Sequence, residues 1–202
     1  NGVVFFEQAY GERDGKPITL DTKSWMASIS KFLSGVSMMT LVDQGLVDLD
    51  APLDRYVPQL RGIDVKTPLT VRHCFVHTNG LQLDIIPPRM FNDHYGDELN
   101  DYEEVVAGYY PYLKVGTRHG YNGCGYAIAG KAIEQITGEA LPQFFQKHMW
   151  GPLGCPNTDE IDMSARTMSA PRDIATIAQM LLNKGAYGEK RFFKQETFEK
   201  NL

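Results

Sequence analysis

Residues 27–45 read Ala27-Ser28-Ile29-Ser30-Lys31-Phe32-Leu33-Ser34-Gly35-Val36-Ser37-Met38-Met39-Thr40-Leu41-Val42-Asp43-Gln44-Gly45. The apolar residues Ile29, Phe32, Leu33, Val36 and Met39 follow the spacing of one helix face, and Gly45 stands where a left-handed C-terminal cap belongs. The spacing predicts a helix with that stripe buried. At its start Ser28 and Lys31 are three apart, which puts a hydroxyl and an amine one turn from each other on the same side. A serine hydroxyl is a poor nucleophile unless a neighbouring base takes its proton, and a lysine serves as that base only where burial or another cation lowers its pKa. The spacing meets the geometric half of that demand. The same four residues also read as an N-cap serine followed by a solvated lysine, so the motif needs support from the rest of the chain.

Composition narrows the function classes. The chain has 202 residues with 20 Lys plus Arg against 25 Asp plus Glu, a net charge of −5, which leaves no basic field for a phosphate backbone. Hydrophobic content of 43% with 22% charged residues is that of a globular protein with a real core, which excludes a disordered chain or a disulfide-stapled mini-domain. The longest apolar stretches, such as Phe32 to Val42, are broken by Ser, Gly and Thr, so no membrane span is expected. The opening Asn-Gly-Val-Val-Phe-Phe-Glu lacks the pattern of a signal peptide. Cys74, Cys124 and Cys155 form no Cys-x-x-Cys pair and allow at most one disulfide.

Outward from the central helix, Val3 to Tyr10 reads as a strand, rich in β-branched and aromatic residues, with turn chemistry from Gly11 to Pro17. Further helices are expected at 70–76, 102–110, 125–137, 141–149 and 171–184, with Gly138 and Gly185 as stops and a short helix near Glu196. Glu189 to Phe193 is the later strand candidate. A few strands with a large helical insertion is the coarse architecture.

Several further segments carry a resemblance in order. Gln44-Gly45-Leu46-Val47-Asp48-Leu49-Asp50-Ala51-Pro52-Leu53, Tyr56-Val57-Pro58, Leu69-Thr70-Val71-Arg72-His73, His77-Thr78-Asn79-Gly80-Leu81 and Gly116-Thr117 lead to Tyr121-Asn122-Gly123-Cys124-Gly125-Tyr126. Ile133-Glu134-Gln135-Ile136-Thr137-Gly138, Pro152-Leu153-Gly154, Asp173-Ile174-Ala175 and Met180-Leu181-Leu182-Asn183 follow. Together with Ala27 to Lys31, this order resembles the class C β-lactamase and penicillin-binding-protein-like serine hydrolases across most of the chain.

The resemblance implies an α+β fold of the β-lactamase/transpeptidase type, with an antiparallel-sheet lobe and a mostly helical lobe. Residues 1–27 would open the α/β lobe, 28–60 carry the nucleophile helix and its connection, 61–165 form the helical lobe, and 166–202 return to the first lobe. It makes Ser28 the acylated nucleophile, Lys31 its proton acceptor and Tyr121 the phenol bridging them. A lysine ammonium beside a tyrosine favours the phenolate, so the two would move one proton as a unit. Asn122 and Gly123 would face the substrate, although the family's Tyr-x-Asn places its asparagine one position later than Asn122. The family's third motif, Lys-Thr-Gly or His-x-Gly on a closing strand, has no match after Gly185, since Lys114-Val115-Gly116 precedes Tyr121. The connection from Thr158 to Ser164 is also shorter than the family's, and the C-terminal strands are expected to be missing from the sequence.

Other residues admit blander readings. His73 and His77 flank Cys74 with zinc-ligand spacing, but a third and fourth ligand are not evident, and no metal is expected. Tyr109, Tyr110 and Tyr112 around Pro111 read as loop packing rather than a substrate pocket, and Asp97 to Glu104 as a solvated helix approach. The expected activity is acyl transfer on a small ester or amide: esterase, D-amino-acid peptidase or β-lactamase-like, with no cofactor and no nucleic-acid partner. The sequence leaves the compartment open, and the resemblance favours a periplasmic or secreted location. The competing expectation is a catalytically silent relative that binds a ligand or partner.

Overall fold

The computed structural model describes residues 2–81, 102–160 and 162–201. The chain divides into two units, 1–43 with 141–202, and 44–140. In the first, β1 (Glu12–Arg13) and β2 (Lys16–Pro17) form a hairpin, and β3 (Ser24–Trp25) leads into α1 (Ile29–Asp43). β3 pairs antiparallel with β5 (Thr167–Ser169), which pairs in turn with β4 (Thr158–Glu160) in the register Thr158↔Ser169 and Glu160↔Thr167. These strands run two or three residues each, too short to show an alternating pattern, and the sequence reading missed them.

α1 forms where the periodicity predicts it, but its buried face is different. Leu33, Val36 and Met39 are buried as expected, whereas Ile29 and Phe32 are each 50% exposed. Ser30, Lys31, Ser34 and Ser37 take buried positions instead. A helix that buries a polar stripe requires hydrogen-bond partners for it, and the 160–167 segment supplies most of them. The far end of α1 is tied by Asp43, whose Oδ1 accepts from the Lys194 N–H (2.9 Å) and Thr197 Oγ1 (2.6 Å) at the helix Gln195–Asn201.

The expected helix at 141–149 is two pieces: Leu141–Phe145 and a π-helical turn, Gln146–Trp150. The buried residues Phe144 and Met149, and Phe145 and Trp150, are five apart, and only the wider π turn brings such pairs to one face. The helix Pro171–Leu182 begins with proline in its first turn and is followed by Gly185, at φ 90°. There an added Cβ would lie 2.4 Å from the Phe193 carbonyl oxygen, so glycine is required. β6 (Ala186–Tyr187) and β7 (Lys190–Arg191) pair where one strand at 189–193 was expected. Val3 to Tyr10 forms no ladder among the described residues; its side chains are largely exposed, and an extended segment without a pairing partner is not a strand.

In the second unit, Leu53, Val57, Leu60, Leu69, Val71, Ile128, Ala129 and Ile133 are fully or nearly fully buried. Each of the Val, Leu and Ile side chains among them contributes roughly 1.5–3 kcal/mol. α2 (Val71–Phe75) is capped by Thr70, whose Oγ1 accepts the His73 N–H at 3.2 Å. It packs on the helix Cys124–Thr137 at Gly125, where a Cβ would fall 2.4 Å from Asn79 Nδ2 and 2.8 Å from the Cys74 carbonyl oxygen. The helix Tyr102–Tyr109 continues into a 3-10 turn, Tyr110–Tyr112. Tyr110 is buried and its hydroxyl accepts the Leu69 N–H at 2.9 Å, the packing role expected of this aromatic group, whereas Tyr112 is exposed. Residues 97–101 of the expected acidic helix approach lie outside the described residues.

Candidate active site

Ser28 stands immediately before α1, on a turn that begins at Ala27 with φ +47°. A non-glycine residue in the left-handed region costs about 1–3 kcal/mol, and such strain clusters at functional sites. The turn is fixed from both sides. Met26 N–H donates to the Thr167 carbonyl at 2.9 Å, and the N–H groups of Ile29, Ser30 and Lys31 bond back to Met26, Ala27 and Ser28 at 3.0, 3.0 and 3.1 Å. Ser28 is exposed, with the positive end of the α1 dipole beside it.

One turn on, Lys31 is 8% exposed, and its Nζ donates to the Ser164 carbonyl at 2.8 Å. That carbonyl belongs to a turn wound around Asp162. Asp162 Oδ1 accepts the N–H groups of Ser164 (2.7 Å), Ala165 (2.8 Å) and Arg166 (3.2 Å), and Oδ2 accepts Arg166 Nε at 2.9 Å. Burial would raise the Asp162 carboxyl, but these bonds outweigh it and hold the group below its ordinary range. Trp25 Nε1 donates to the Ala165 carbonyl at 2.6 Å, and the Thr167 N–H donates to Ser30 Oγ at 3.1 Å. The 160–167 segment is thus sewn to β3 and to the first two turns of α1.

The other predicted residues, Tyr121, Asn122 and Gly123, are in the second unit, just before the helix Cys124–Thr137. Tyr121 is 58% exposed, and its ring leans on His77 with centroids 4.5 Å apart at 43°. His77 itself has φ +58°, and its carbonyl accepts the Gly120 N–H at 2.8 Å while its Nδ1 accepts the Asn122 N–H at 3.3 Å. Thr78 adds a bond from its carbonyl to the Gly116 N–H at 2.8 Å. The His77-Thr78-Asn79-Gly80 turn therefore brackets the loop that presents Tyr121. Asn122 is buried: its Nδ2 donates to the Gly120 carbonyl at 2.6 Å and its Oδ1 accepts the Gly125 N–H at 3.2 Å. This caps the following helix from within the loop.

Competing groups are held back by burial. Tyr126 donates its hydroxyl to the Phe75 carbonyl at 3.1 Å, and burial pushes its pKa up to about 12, leaving Tyr121 as the accessible phenol of the loop. The three thiols are buried; burial pushes Cys155 up to about 12 and raises Cys74 as well, so neither resembles an activated nucleophile. His73 has its Nδ1 2.9 Å from Thr70 Oγ1, and no group of three or more potential metal ligands occurs among the described residues. Nor, among them, is any helix long and apolar enough to cross a membrane.

Sequence reasoning named Ser28, Lys31 and Tyr121 but missed what holds them. The resemblance marked His77-Thr78-Asn79-Gly80 as a structural turn near the site, without showing its bonds to the Tyr121 loop. Glu160 and the Ser164 carbonyl gave no signal, because their partners on α1 lie more than 120 residues away.

The sequence pattern of the Beta-lactamase family matches residues 1–161, and the chain belongs to that family. Its fold is of the β-lactamase/transpeptidase type, with helices and small antiparallel sheets. A candidate β-lactamase of Bacteroides dorei superposes with a TM-score of 0.80 at 25% identity, over 98% of this chain and 60% of that one. Among curated relatives, lovastatin esterase of Penicillium rubens is 26% identical over 91% of this chain and 54% of its own length. Monacolin J acid methylbutanoyltransferase of Aspergillus terreus is 26% identical over 87% and 46%. The chain thus spans about half the length of these two relatives.

Proposed function

We propose that this chain carries the nucleophile and proton-transfer residues of a serine hydrolase or acyltransferase acting on an ester or amide. The observation that carries the reading is the first turn of α1, where an exposed Ser28 on a strained turn is followed by a buried, carbonyl-bound Lys31. Lys31 and Tyr121 take the Ser28 Oγ proton as Oγ attacks the acyl carbon; the tetrahedral intermediate collapses, and the departing alcohol or amine receives that proton. Water or an acceptor alcohol then attacks the acyl-Ser28 ester and returns the serine hydroxyl. The Ser28 N–H and the α1 N-terminus stabilise the developing oxyanion. Gly123 flanks the substrate side of the Tyr121 loop, and the buried Asn122 supports that loop from within. Relatives described as an esterase and as an acyl transferase support both fates of the acyl group.

The test is covalent. Incubation of the 202-residue chain with a fluorophosphonate, read by intact mass and peptide mapping, should give one adduct on the peptide containing Ser28 and none in Ser28→Ala. An adduct that persists in Ser28→Ala removes Ser28 from the mechanism. A folded wild-type chain that never labels supports a ligand-binding relative instead.

A further inference from the structure

Beneath the α1 turn lies a carboxyl group that the proposed chemistry does not use. Glu160, the last residue of β4, is 2% exposed. Its Oε1 is 2.8 Å from Ser34 Oγ, and Ser34 Oγ is also 2.9 Å from the Met163 carbonyl oxygen. A serine hydroxyl has one proton and donates only one of these bonds. The Met163 carbonyl can only accept, so both bonds form together only when Ser34 donates to Met163 and Glu160 donates to Ser34. Glu160 Oε2 and the indole N–H of Trp150 are both buried; the indole lies near the carboxyl but does not reach hydrogen-bond geometry with it, and neither atom has such a partner among the described residues. An unpartnered neutral carbonyl oxygen is tolerated far better than an unpartnered anionic one.

We propose that Glu160 acts as a neutral hydrogen-bond donor that positions Lys31 through Ser34, the Met163 carbonyl and the adjoining Ser164 carbonyl. The inference rests on the reading of Lys31 as the base for Ser28. Continuity is what makes it a device. Glu160 holds Ser34, Ser34 holds Met163, Asp162 holds the N–H groups of Ser164 to Arg166, and the Ser164 carbonyl receives Lys31 Nζ. Glu160 also faces Thr167 in the β4–β5 register, and Thr167 binds Ser30 and Met26, so the same hairpin fixes both Lys31 and the Ser28 turn.

The charge state agrees. Burial raises the Glu160 carboxyl well above its ordinary range; Ser34 and the nearby Trp150 indole pull it back, and Asp162 raises it further. The ionisable groups on its own strand and the surrounding elements are Asp159 on β4, Lys31 and, at the far end, Asp43 on α1, Asp162 and Arg166 on the connection, and Lys147 and His148 on the π-helical turn. β5 and the helix Leu141–Phe145 contribute none. A carboxyl raised in the folded state stabilises the fold fully below its unfolded value, about 4.3, and loses that contribution as pH rises toward the folded value.

The experiment compares wild type, Glu160→Gln, Glu160→Leu and Ser34→Ala in fluorophosphonate acylation rate from pH 5 to 9 and in urea unfolding midpoint over the same range. Gln keeps a donor and cannot ionise. It should acylate within about twofold of wild type at pH 7 and lose the decline in midpoint that wild type shows above about pH 4.3. Glu160→Leu and Ser34→Ala, while folded, should acylate at least tenfold more slowly. Glu160→Gln as slow as Glu160→Leu, or Ser34→Ala at the wild-type rate, would overturn the proposal. If wild type itself does not acylate, the proposed function fails, and the stability arm still judges Glu160. A pH slope absent from Glu160→Gln supports the neutral donor, and an unchanged slope refutes it.

Discussion

The two groups of predicted site residues are held by opposite means. On α1, Lys31 is buried, and its Nζ is held by the Ser164 carbonyl of a turn that the side chains of Asp162, Ser34 and Glu160 fix. In the second unit, Tyr121 is exposed, and its loop is fixed by backbone bonds to the His77-Thr78 turn, a ring contact and the local bonds of the Asn122 side chain to Gly120 and Gly125. The first arrangement is sensitive to protonation and to the loss of a single polar atom, because an orphaned buried group costs about 1–3 kcal/mol. The second is sensitive to added bulk and to backbone freedom.

The contrast sets an order of expected effects. Tyr121→Phe should lower acylation by about a hundredfold or more, the scale of losing a positioned proton-transfer group, with an unchanged unfolding midpoint. Wild-type turnover in that variant would remove Tyr121 from the chemistry. Gly125→Ala should destabilise the chain by about 1–3 kcal/mol in urea, since its Cβ would meet the Cys74 carbonyl at 2.8 Å. His77→Ala should slow acylation about tenfold through the loosened Tyr121 loop while Lys31-dependent behaviour is unchanged. An equal loss from changes on α1 and in the Tyr121 loop would erase the distinction drawn between them.

The smallest effect is at the far end of α1. Burial would raise the Asp43 carboxyl, yet the bonds from Thr197 and Lys194 outweigh it and bring the group below its ordinary range. A lowered carboxyl adds stability above its unfolded value, about 3.9, and loses it as pH falls through the folded value. Asp43→Asn should therefore cost about 1 kcal/mol at pH 7 and less at pH 3, read from urea midpoints.

Much of this was legible in the sequence wherever a pattern repeats or a motif is contiguous. The 3.6-residue spacing located α1, and glycines marked its end and that of the helix Cys124–Thr137, with Gly45 at φ 72° and Gly138 at φ 69°. Ser28-x-x-Lys31 and the Tyr121 segment stood out because their neighbours are ordered as in a family. What stayed hidden depends on distant pairing. The composition of Val3 to Tyr10 suggests a strand, but a ladder needs a partner, and none pairs with it among the described residues. Ile29 and Phe32 fit the apolar stripe, yet the helix buries Ser30, Lys31 and Ser34 because β5 and the 160–164 turn bring hydrogen-bond partners there. Periodicity ranks positions by polarity and cannot foresee a partner more than 120 residues away.

The central claim is that Lys31, held in its carbonyl-bound site, activates Ser28. The direct measurement is the acylation time course of wild type and Lys31→Met with a fluorophosphonate, by intact mass, with urea midpoints as the folding control. Stoichiometric labelling of wild type at Ser28 is expected, with labelling at least a hundredfold slower in a folded Lys31→Met. Equal rates in the two proteins would contradict it.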